Sequence, residues 1–532
     1  MKVLAINGIK LVLDENEEQL LEKIASILAV SQNDIINFEI IKKAIDARRN
    51  KPPHFVYAVK LSVPDDTKLP RNLAAGIQLQ EQKEKLSAPH FSQISAPELP
   101  VVVAGSGPAG LFAAFVLAAR GLPVLLLERG APIEKRTKDV QAFWEKGILN
   151  SASNVLFGEG GAGTFSDGKL TSRSKNPYSF WVKKVLVDMG APAAILTDAK
   201  PHIGTDRLRE VVINLRNKLA AMGCTIRFTA QVTDFIVSQS RLSAIVVNEK
   251  EEIRTNQLVL AIGQSADDTY KKLLASGVRM EAKPFAMGLR VEHPQELINS
   301  LQYGKWSGHA NLPPAEYFVT AAIPDQNRSV YTFCMCPGGA VIGCSAFPGY
   351  VLTNGMSNSL RSGEYANSAV VVNVRVDDFA MQGEPLAGLE FRGRWEKRAF
   401  EAGGSNYYAP AQRLTDFLEK KETDNAGTTS FLPGVRPAKL EDVLPAFVSN
   451  ALRAGIYEFN RKMPGFITAD AHLIGVETRT SSPVRICRKG DGQSETVCGL
   501  YPCGEGSGYA GGIISSALDG IKAAENLINN LI

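Results

Sequence analysis

The chain has 532 residues, of which 45% are hydrophobic and 21% are charged, and its formal net charge at pH 7 is +4. This length predicts roughly two to four domains, and the small net charge, without a dense Lys/Arg stripe, argues against nucleic acid as the main partner. The seven cysteines are odd in number and widely spread, which argues against a secreted disulfide framework and favours a cytoplasmic location.

The start of the chain is expected to be a folded module rather than a signal peptide, because Asn7, Gly8 and Lys10 interrupt its apolar residues. Residues 1–66 are predicted to form a small α+β module in the order β-α-β-β. Its expected elements are strands over 3–13, 35–45 and 55–63 and a helix over 16–28.

Two segments near this module are polar. The basic segment IKKAIDARRNKPPH predicts either a charged, solvated hairpin or a contact with a phosphate or a protein partner. Residues 67–97 end rich in Pro and Ser and predict a linker whose first half forms a short helix.

Residues 99–130 predict a β-α-β unit. A β-branched run over 100–104 leads into the sequence GSGPAG, an apolar helix follows as far as Arg120, and a second apolar strand ends at Glu128. An uncharged run over 99–119 could be scored as a membrane span, but the strand and turn inside it explain it better, and we expect no membrane contact.

The glycines of this unit predict a dinucleotide site. Gly105 permits the tight turn, Gly107 lets the backbone approach a pyrophosphate, and Gly110 allows close packing of helix and strand. The helix N-terminus offers N–H groups and a positive dipole end to the phosphates. Glu128 stands at the spacing expected of the acid that binds ribose hydroxyls.

A second glycine-rich segment, SNVLFGEGGAGTFSDGKLTSR at 153–173, predicts a loop pressed against a ligand. It is not a second dinucleotide fingerprint, because no β-branched run precedes it. Strand-like runs over 226–262 end at Gly263, where a parallel sheet would return the chain to the edge that holds the dinucleotide.

The remainder predicts an inserted domain and a return to the first one. Residues 283–488 lack a βαβ rhythm and are expected to form an α+β substrate or cap domain. A strand at 499–503 followed by a helix from Gly511-Gly512 indicates that residues 489–532 rejoin residues 98–282 in one dinucleotide-binding domain.

The order of these motifs resembles flavoproteins of the glutathione-reductase type. The whole chain is most similar to a family of bacterial proteins described as uncharacterised FAD-dependent dehydrogenases, through the motifs GEGGAGTFSDGKL, YTFCMCPGG, TNGMS, NSAVVVNV and ETRTSSPVRI. The resemblance implies an α/β fold, with a Rossmann-like FAD-binding domain, the inserted domain and the small N-terminal module.

The resemblance also implies a set of FAD contacts along the sequence. It puts the pyrophosphate at Gly105, Gly107, Pro108, Ala109 and Gly110, the ribose at Glu128, and the adenine half at Arg129, Arg136, Val232 and Gly263. It puts the pyrophosphate and flavin along Gly161, Ala162, Gly163, Thr164 and Phe165, and the ribityl chain at Gly504 and Glu505, where this group often has Asp. Gly512 and Ile513 start the last helix, whose dipole would stabilise negative charge on reduced flavin.

Residues for catalysis are less clearly marked. Cys334 and Cys336 are either redox or nucleophilic groups beside the flavin or small buried apolar residues. His309 is a candidate proton donor, and Arg479 and Arg485 are candidates to bind an anionic substrate or are ordinary structural arginines. The scattered histidines and the cysteine spacing predict no metal site and no iron–sulfur cluster.

The function expected from these features is an FAD-dependent oxidoreductase that transfers a hydride or electron pair between flavin and an unidentified small molecule. Any NADH or NADPH that reduces the flavin would bind transiently at the substrate face, because no second nucleotide fold is visible. Two alternatives stay open: a flavoprotein acting on tRNA through Lys42, Lys43, Arg48 and Arg49, and a flavin-binding protein whose N-terminal module binds a partner.

Overall fold

The computed structural model describes residues 1–48, 51–68, 70, 77–81, 88–89, 92–172, 174–380 and 383–532. Within these ranges no helix combines the length and the apolar character needed to cross a membrane.

The N-terminal module is an antiparallel sheet of four strands, in the order β2-β3-β1-β4, with one helix packed against it. Its elements are β1 (Lys2–Val12), α1 (Gln19–Leu28), β2 (Ile36–Asp46), β3 (His54–Val63) and β4 (Gln78–Glu81). The linker prediction for 67–97 is wrong at Gln78–Glu81, because the backbone there pairs with residues 4–7 of β1. The short helix expected in that linker falls largely on residues outside the described ranges.

The next part of the chain alternates strands and helices and then turns to short antiparallel strands. Its elements are β5 (Val101–Ala104), α2 (Pro108–Ala119), β6 (Val124–Leu127), α3 (Ile133–Lys146), α4 (Tyr178–Asp188), α5 (Thr205–Ala221), β7 (Thr225–Arg227), β8 (Val232–Ser238), β9 (Arg241–Val247), β10 (Glu251–Arg254), β11 (Leu258–Leu260) and α6 (Asp267–Ala275).

The C-terminal half builds a large sheet before the chain returns to the first one. Its elements are β12 (Met280–Ala282), β13 (Phe285–Pro294), α7 (Gln295–Tyr303), β14 (Thr320–Ile323), β15 (Arg328–Gly343), β16 (Thr353–Met356), β17 (Tyr365–Val374), α8 (Ala387–Ala402), β18 (Ala409–Arg413), α9 (Leu414–Glu419), β19 (Val435–Pro437), α10 (Ala446–Lys462), β20 (His472–Glu477), β21 (Val484–Ile486), β22 (Leu500–Pro502) and α11 (Ile513–Leu531).

A parallel sheet in the order β22-β11-β5-β6-β7 organises the dinucleotide-binding part. Every residue of β5, β11 and β22 is buried, as expected for strands that are covered on both faces. Helices that include α2 and α11 cover one face, and the antiparallel strands β8–β10 with α6 cover the other. The final strand therefore rejoins a sheet that began about four hundred residues earlier.

The large sheet runs β14-β15-β17-β13-β20-β18-β19, with β16 paired to β15. One face of this sheet packs against α10 and holds the largest apolar core of the described residues. Over residues 329–333 of β15 the side chains alternate between this core and the opposite face, and irregularities in the pairing with β17 interrupt the alternation after Phe333. That opposite face forms a wall of the cavity described next.

Candidate functional site

In the glycine turn after β5, Gly105 and Gly110 leave no room for a side chain. Gly105 has a φ of +103°, and a Cβ there would lie 2.3 Å from the carbonyl oxygen of Ala261. A Cβ on Gly110 would lie 1.8 Å from the carbonyl oxygen of Gly105, which explains why this glycine is needed. Gly107 is the N-cap of α2, and no side chain caps this helix start. Backbone N–H groups at this terminus are therefore available to an anion.

Glu128 binds the two glycine-rich segments to each other. One carboxylate oxygen accepts from the N–H and the hydroxyl of Ser106, at 2.9 and 2.7 Å, and the other accepts from the N–H groups of Gly130 and Gly158, at 2.8 and 3.1 Å. These four bonds use the ordinary capacity of a carboxylate. A ribose could bind this carboxylate only if one of them is released, and the Ser106 hydroxyl can rotate away.

Arg136 is not a cofactor contact, and the prediction that it flanks the adenine half is wrong. Its side chain is fully buried, outside the cavity lining, and its guanidinium donates to the carbonyl oxygens of Asn154, Val155, Gly158, Glu159 and Gly161 at 2.5–3.2 Å. Burial lowers the pKa of Arg136 to about 10, so it stays charged at neutral pH. Arg136 thus holds the backbone of the glycine loop in place from the side that faces away from the cavity.

The glycine loop itself meets the turn after β5. A Cβ on Gly161 would lie 3.0 Å from the Cα of Gly107, so the two backbones come close at this point. Gly161, Ala162 and Gly163 line the cavity. Thr164 and Phe165 do not, which corrects their predicted role: the Phe165 ring packs between Trp144 and the guanidinium of Arg136.

The second helix start lies at the other glycine-rich end of the chain. α11 begins at Ile513 with Gly512 as its N-cap, without a capping side chain, and both residues line the cavity. Glu505 accepts a 3.0 Å hydrogen bond from the amide of Gln264, and burial raises the pKa of Glu505 to about 7. α2 and α11 cross closely, because a Cβ on Gly520 would lie 2.0 Å from the carbonyl oxygen of Ala109.

One cavity of about 1200 Å³ joins these features. It is lined by Gly105, Gly107, Pro108, Ala109, Glu128, Arg129, Gly161, Ala162, Gly163, Val232, Gly263, Gly504, Glu505, Gly512 and Ile513, all of them predicted cofactor contacts. Its volume exceeds the roughly 300–1,000 Å³ of an ordinary small-ligand pocket. The structure therefore brings Glu128 and Glu505, far apart in sequence, to the same cavity.

The rest of the lining comes from the large sheet and its loops. Cys334 and Cys336 lie on β15 at this wall, with the Cys336 sulfur 3.6 Å from Nη2 of Arg290. Cys336 is buried, whereas Cys334 is exposed within the cavity. Loss of hydration within the wall raises the pKa of both thiols, that of Cys334 to about 12, against the opposing effect of Arg290. Both are therefore thiols at neutral pH, which disfavours a nucleophilic role.

A cluster of five charged side chains, which the sequence did not single out, lines the cavity beside β15. It consists of Asp167, Lys169, Lys200, Glu316 and Arg361. Asp167 and Lys169 belong to the motif GEGGAGTFSDGKL, and this was the only sequence signal that pointed to the cluster.

Three candidate catalytic residues have other surroundings than expected. His309 contacts Asp14 of the N-terminal module at 3.1 Å and lies outside the cavity lining, so its predicted role as proton donor is wrong. Arg485 is also outside the lining and pairs with Glu281 at 3.2 Å, so it is not an anion clamp in this cavity. Arg479 does line the cavity, but its guanidinium is bound by the buried carboxylate of Glu396.

The described part of the chain contains no group of three or more His, Cys, Asp and Glu side chains that could hold a metal ion. All seven cysteines are free thiols.

Comparison with known families indicates FAD as the cofactor of this chain. Residues 100–158 match an FAD binding domain, residues 284–480 match the family described as FAD-dependent protein, C-terminal domain-like, and residues 4–62 match a domain of unknown function. The glycine turn and Glu128 lie in the first match, and the wall formed by β15 lies in the second. These matches place the chain among FAD-dependent proteins.

The family is shown by a relative of nearly the same length. An uncharacterised protein of Clostridium beijerinckii is 43% identical over 541 aligned residues that cover 98% of each chain. The chain belongs to the family of this protein.

Solved structures resemble the chain only distantly. They include the flavin-dependent brominase Bmp2, with 12% identity and a TM-score of 0.37 over 82% of this chain and 80% of that one. Glycerol-3-phosphate dehydrogenase from Bacillus halodurans has 10% identity and a TM-score of 0.36 over 81% and 65%. L-Proline dehydrogenase from P. horikoshii has 10% identity and a TM-score of 0.35 over 82% and 95%. Likeness at this level indicates nothing about the substrate.

Proposed function

We propose that FAD occupies the cavity in the arrangement of the glutathione-reductase type, with its adenosine half at Glu128 and Val232 and its flavin half toward Glu505 and the start of α11. The observation that carries this proposal is that two uncapped helix starts and both glutamates line one cavity. FAD, when bound, supplies two-electron transfer to or from a second molecule.

The residues present fit this cofactor. Gly107 and Gly161 leave a cradle with no side chain between α2 and the glycine loop, which suits a pyrophosphate. Glu505 is partly buried beside Gln264 and can accept a hydroxyl of the ribityl chain. The positive end of the α11 dipole, at Ile513, stabilises negative charge placed next to it.

The inserted domain, residues 283–488, is assigned the substrate in this proposal. Its strand β15 faces the part of the cavity that the dinucleotide-binding elements do not enclose, so a second molecule bound there would lie between the two domains. The same opening would admit NADH or NADPH as a transient reductant. Residues 98–282 and 489–532 would then act as the FAD-binding domain.

Two of the four basic residues invoked for the tRNA alternative are paired with acids of the N-terminal module. Lys43 pairs with Glu17 at 2.7 Å and Arg48 with Asp46 at 2.5 Å, so these charges are neutralised within the module. Arg49 lies outside the described residues. The strand β2 is instead joined to the FAD-binding part, through hydrogen bonds of Lys43 with Thr197 and Ala199 at 2.8 Å. These hydrogen bonds support an N-terminal module that is a fixed part of the fold. We propose that the protein is a cytoplasmic enzyme.

Purified protein tests the assignment directly. We expect a yellow protein with one FAD per chain that is bleached anaerobically by its reductant and reoxidised by one member of a metabolite panel. Gly107→Val should retain the fold, because its φ of −73° suits any residue, but should lose FAD because the side chain fills the cradle. Gly490→Ala, at an open position, is the matched control. A colourless protein that takes up no flavin, or retention of tRNA without flavin reduction, would overturn the proposal.

A further inference from the structure

The five-residue charged cluster carries an excess positive charge. Arg361 pairs with Asp167, whose oxygen lies 2.6 Å from Nη2, and Lys200 pairs with Glu316 at 2.6 Å. Burial opposes ionisation of Asp167 and Glu316, but the neighbouring cations outweigh it and lower the pKa of both carboxyls. Both acids are therefore charged, and three cations face two carboxylates.

Lys169 is the third cation of the cluster, and it forms only long ion pairs with the two carboxylates. Its Nζ is 3.6 Å from Asp167 and 3.9 Å from Glu316, beyond hydrogen-bonding distance, and donates instead to the backbone carbonyl of Met335 on β15. An ammonium group has three N–H donors, so two of them are left for another acceptor. Elsewhere in the wall the charges are balanced, because Glu477 pairs with the buried Arg290.

Aromatic side chains lie on the same wall. Thr320 of β14 pairs with Tyr331 of β15, and beyond this pair the N–H of Thr332 donates to the carbonyl of Val319, whose own N–H donates to the Thr332 hydroxyl. The next residues in this register are Phe318 and Phe333. Both point away from the core that α10 covers, and Tyr331 shares their face. Phe318 is 66% exposed and Phe333 37% exposed, although both line the cavity. Two exposed rings in one cavity offer an apolar surface on which a ligand ring can pack.

We propose that this wall binds the substrate as an aromatic carboxylic acid, whose carboxylate is held by Lys169 and whose ring packs on Phe318 and Phe333. This inference rests on the proposed function, because it names the substrate class of the same cavity. A cation and exposed aromatic rings that line the same cavity favour a ligand that has one negative group and one ring over an aliphatic acid or a neutral aromatic. The excess charge would also draw an anion into the cavity.

The test measures ligand binding to the FAD-loaded protein. Benzoate and 3-phenylpropionate serve as probes, followed by equilibrium dialysis and by the change in the flavin absorption spectrum. Benzamide and cyclohexanecarboxylate are the neutral and the non-aromatic comparison ligands. We expect both aromatic acids to bind more tightly than either comparison ligand.

Two variants separate the roles of charge and ring. Lys169→Gln should raise the Kd of benzoate by at least about tenfold, through loss of a charge-assisted hydrogen bond, and leave that of benzamide within about twofold. Lys169→Arg should restore most of the affinity. Phe318→Ala should raise the Kd of both acids by about three- to tenfold. The matched controls Lys271→Gln and Phe180→Ala, at exposed positions outside the lining, should bind as the unmodified chain does.

The outcomes distinguish this inference from the proposed function. A protein that takes up no FAD contradicts the proposed function before any probe is added. A protein that holds FAD but binds neither aromatic acid at millimolar concentration, or binds benzamide as well as benzoate, overturns only the inference. An unchanged benzoate affinity in Lys169→Gln does the same. Displacement of benzoate by NADPH at far lower concentration would assign the wall to the reductant and also overturn it.

Discussion

Replacing Arg136 by methionine tests whether this buried guanidinium orders the glycine loop that lines the proposed FAD site. The substitution keeps the length of the side chain but removes donors to five backbone carbonyl oxygens of residues 154–161. Those carbonyls lie in a buried loop, and most of them would lose a partner that water cannot replace. We expect the loop to lose its single conformation while the parallel sheet remains folded.

The size of the effect follows from the bonds lost. Each hydrogen bond to a charged group contributes about 1.5–3 kcal/mol, but the guanidinium loses hydration on burial, so the contributions do not add. Removing one partner from a buried charged network usually costs about 3–5 kcal/mol. If FAD binds only the ordered loop, a penalty of about 3 kcal/mol corresponds to a rise of about a hundredfold or more in its Kd.

The assay is a fluorescence titration of the flavin-free protein with FAD, together with thermal unfolding of both forms. Arg136→Lys should recover only part of the affinity, since an ammonium group has three donors in place of a planar fork. Arg207→Met, at a side chain that is 55% exposed and pairs only with Glu210 on α5, is the matched control and should change stability by less than about 0.5 kcal/mol. An Arg136→Met protein that binds FAD within about threefold of the unmodified chain and unfolds at the same temperature would refute the reasoning.

Three further predictions follow from burial and close packing. Burial raises the pKa of Glu292 from 4.5 to about 7, so the folded state holds this proton more tightly than the unfolded state, and the free energy of unfolding falls as pH rises between these values. Glu292→Gln should remove a fall of about 3 kcal/mol in the free energy of unfolding between pH 5 and 8. An unchanged pH profile of this variant in denaturant titrations would contradict the prediction. Alkylation of the buried Cys336 by iodoacetamide at pH 8 should be at least about a hundredfold slower in the folded protein than in urea, and equal rates by mass spectrometry would support the redox-cysteine alternative. Gly520→Ala should destabilise the protein by about 1–3 kcal/mol, because its Cβ would lie 2.0 Å from the backbone of α2, whereas Gly490→Ala, with nothing within 4 Å, should not; equal unfolding midpoints for the two would show that α2 and α11 cross less closely.

The N-terminal module shows where sequence patterns are sufficient and where they are not. The strands and helix over residues 1–63 follow from alternation and helical spacing, which are local properties. Strand β4 was missed, because Gln78–Glu81 is a strand only through its pairing with β1. An edge strand that depends on a partner carries little signal of its own.

The candidate catalytic residues were harder to predict than the glycines. His309 and Arg485 attracted attention by residue type and neighbours in sequence, yet their side chains pair with Asp14 and Glu281. Whether a histidine or arginine side chain faces a cavity depends on which acid, distant in sequence, lies beside it in the folded protein. Nothing in the local sequence specifies that partner.

The sequence by itself determined the turn at Gly105–Gly110, the helix after it and the acid at Glu128. These features depend on one contiguous segment, whose glycines are needed where its backbone passes close to another backbone. Only the tertiary structure decided that Arg136 donates to the carbonyls of the glycine loop and that Lys169 donates to β15 rather than to a carboxylate. The physical reason is that hydrogen bonds and ion pairs form between residues up to hundreds of positions apart in the sequence, whereas the geometry of a turn depends on about six consecutive residues.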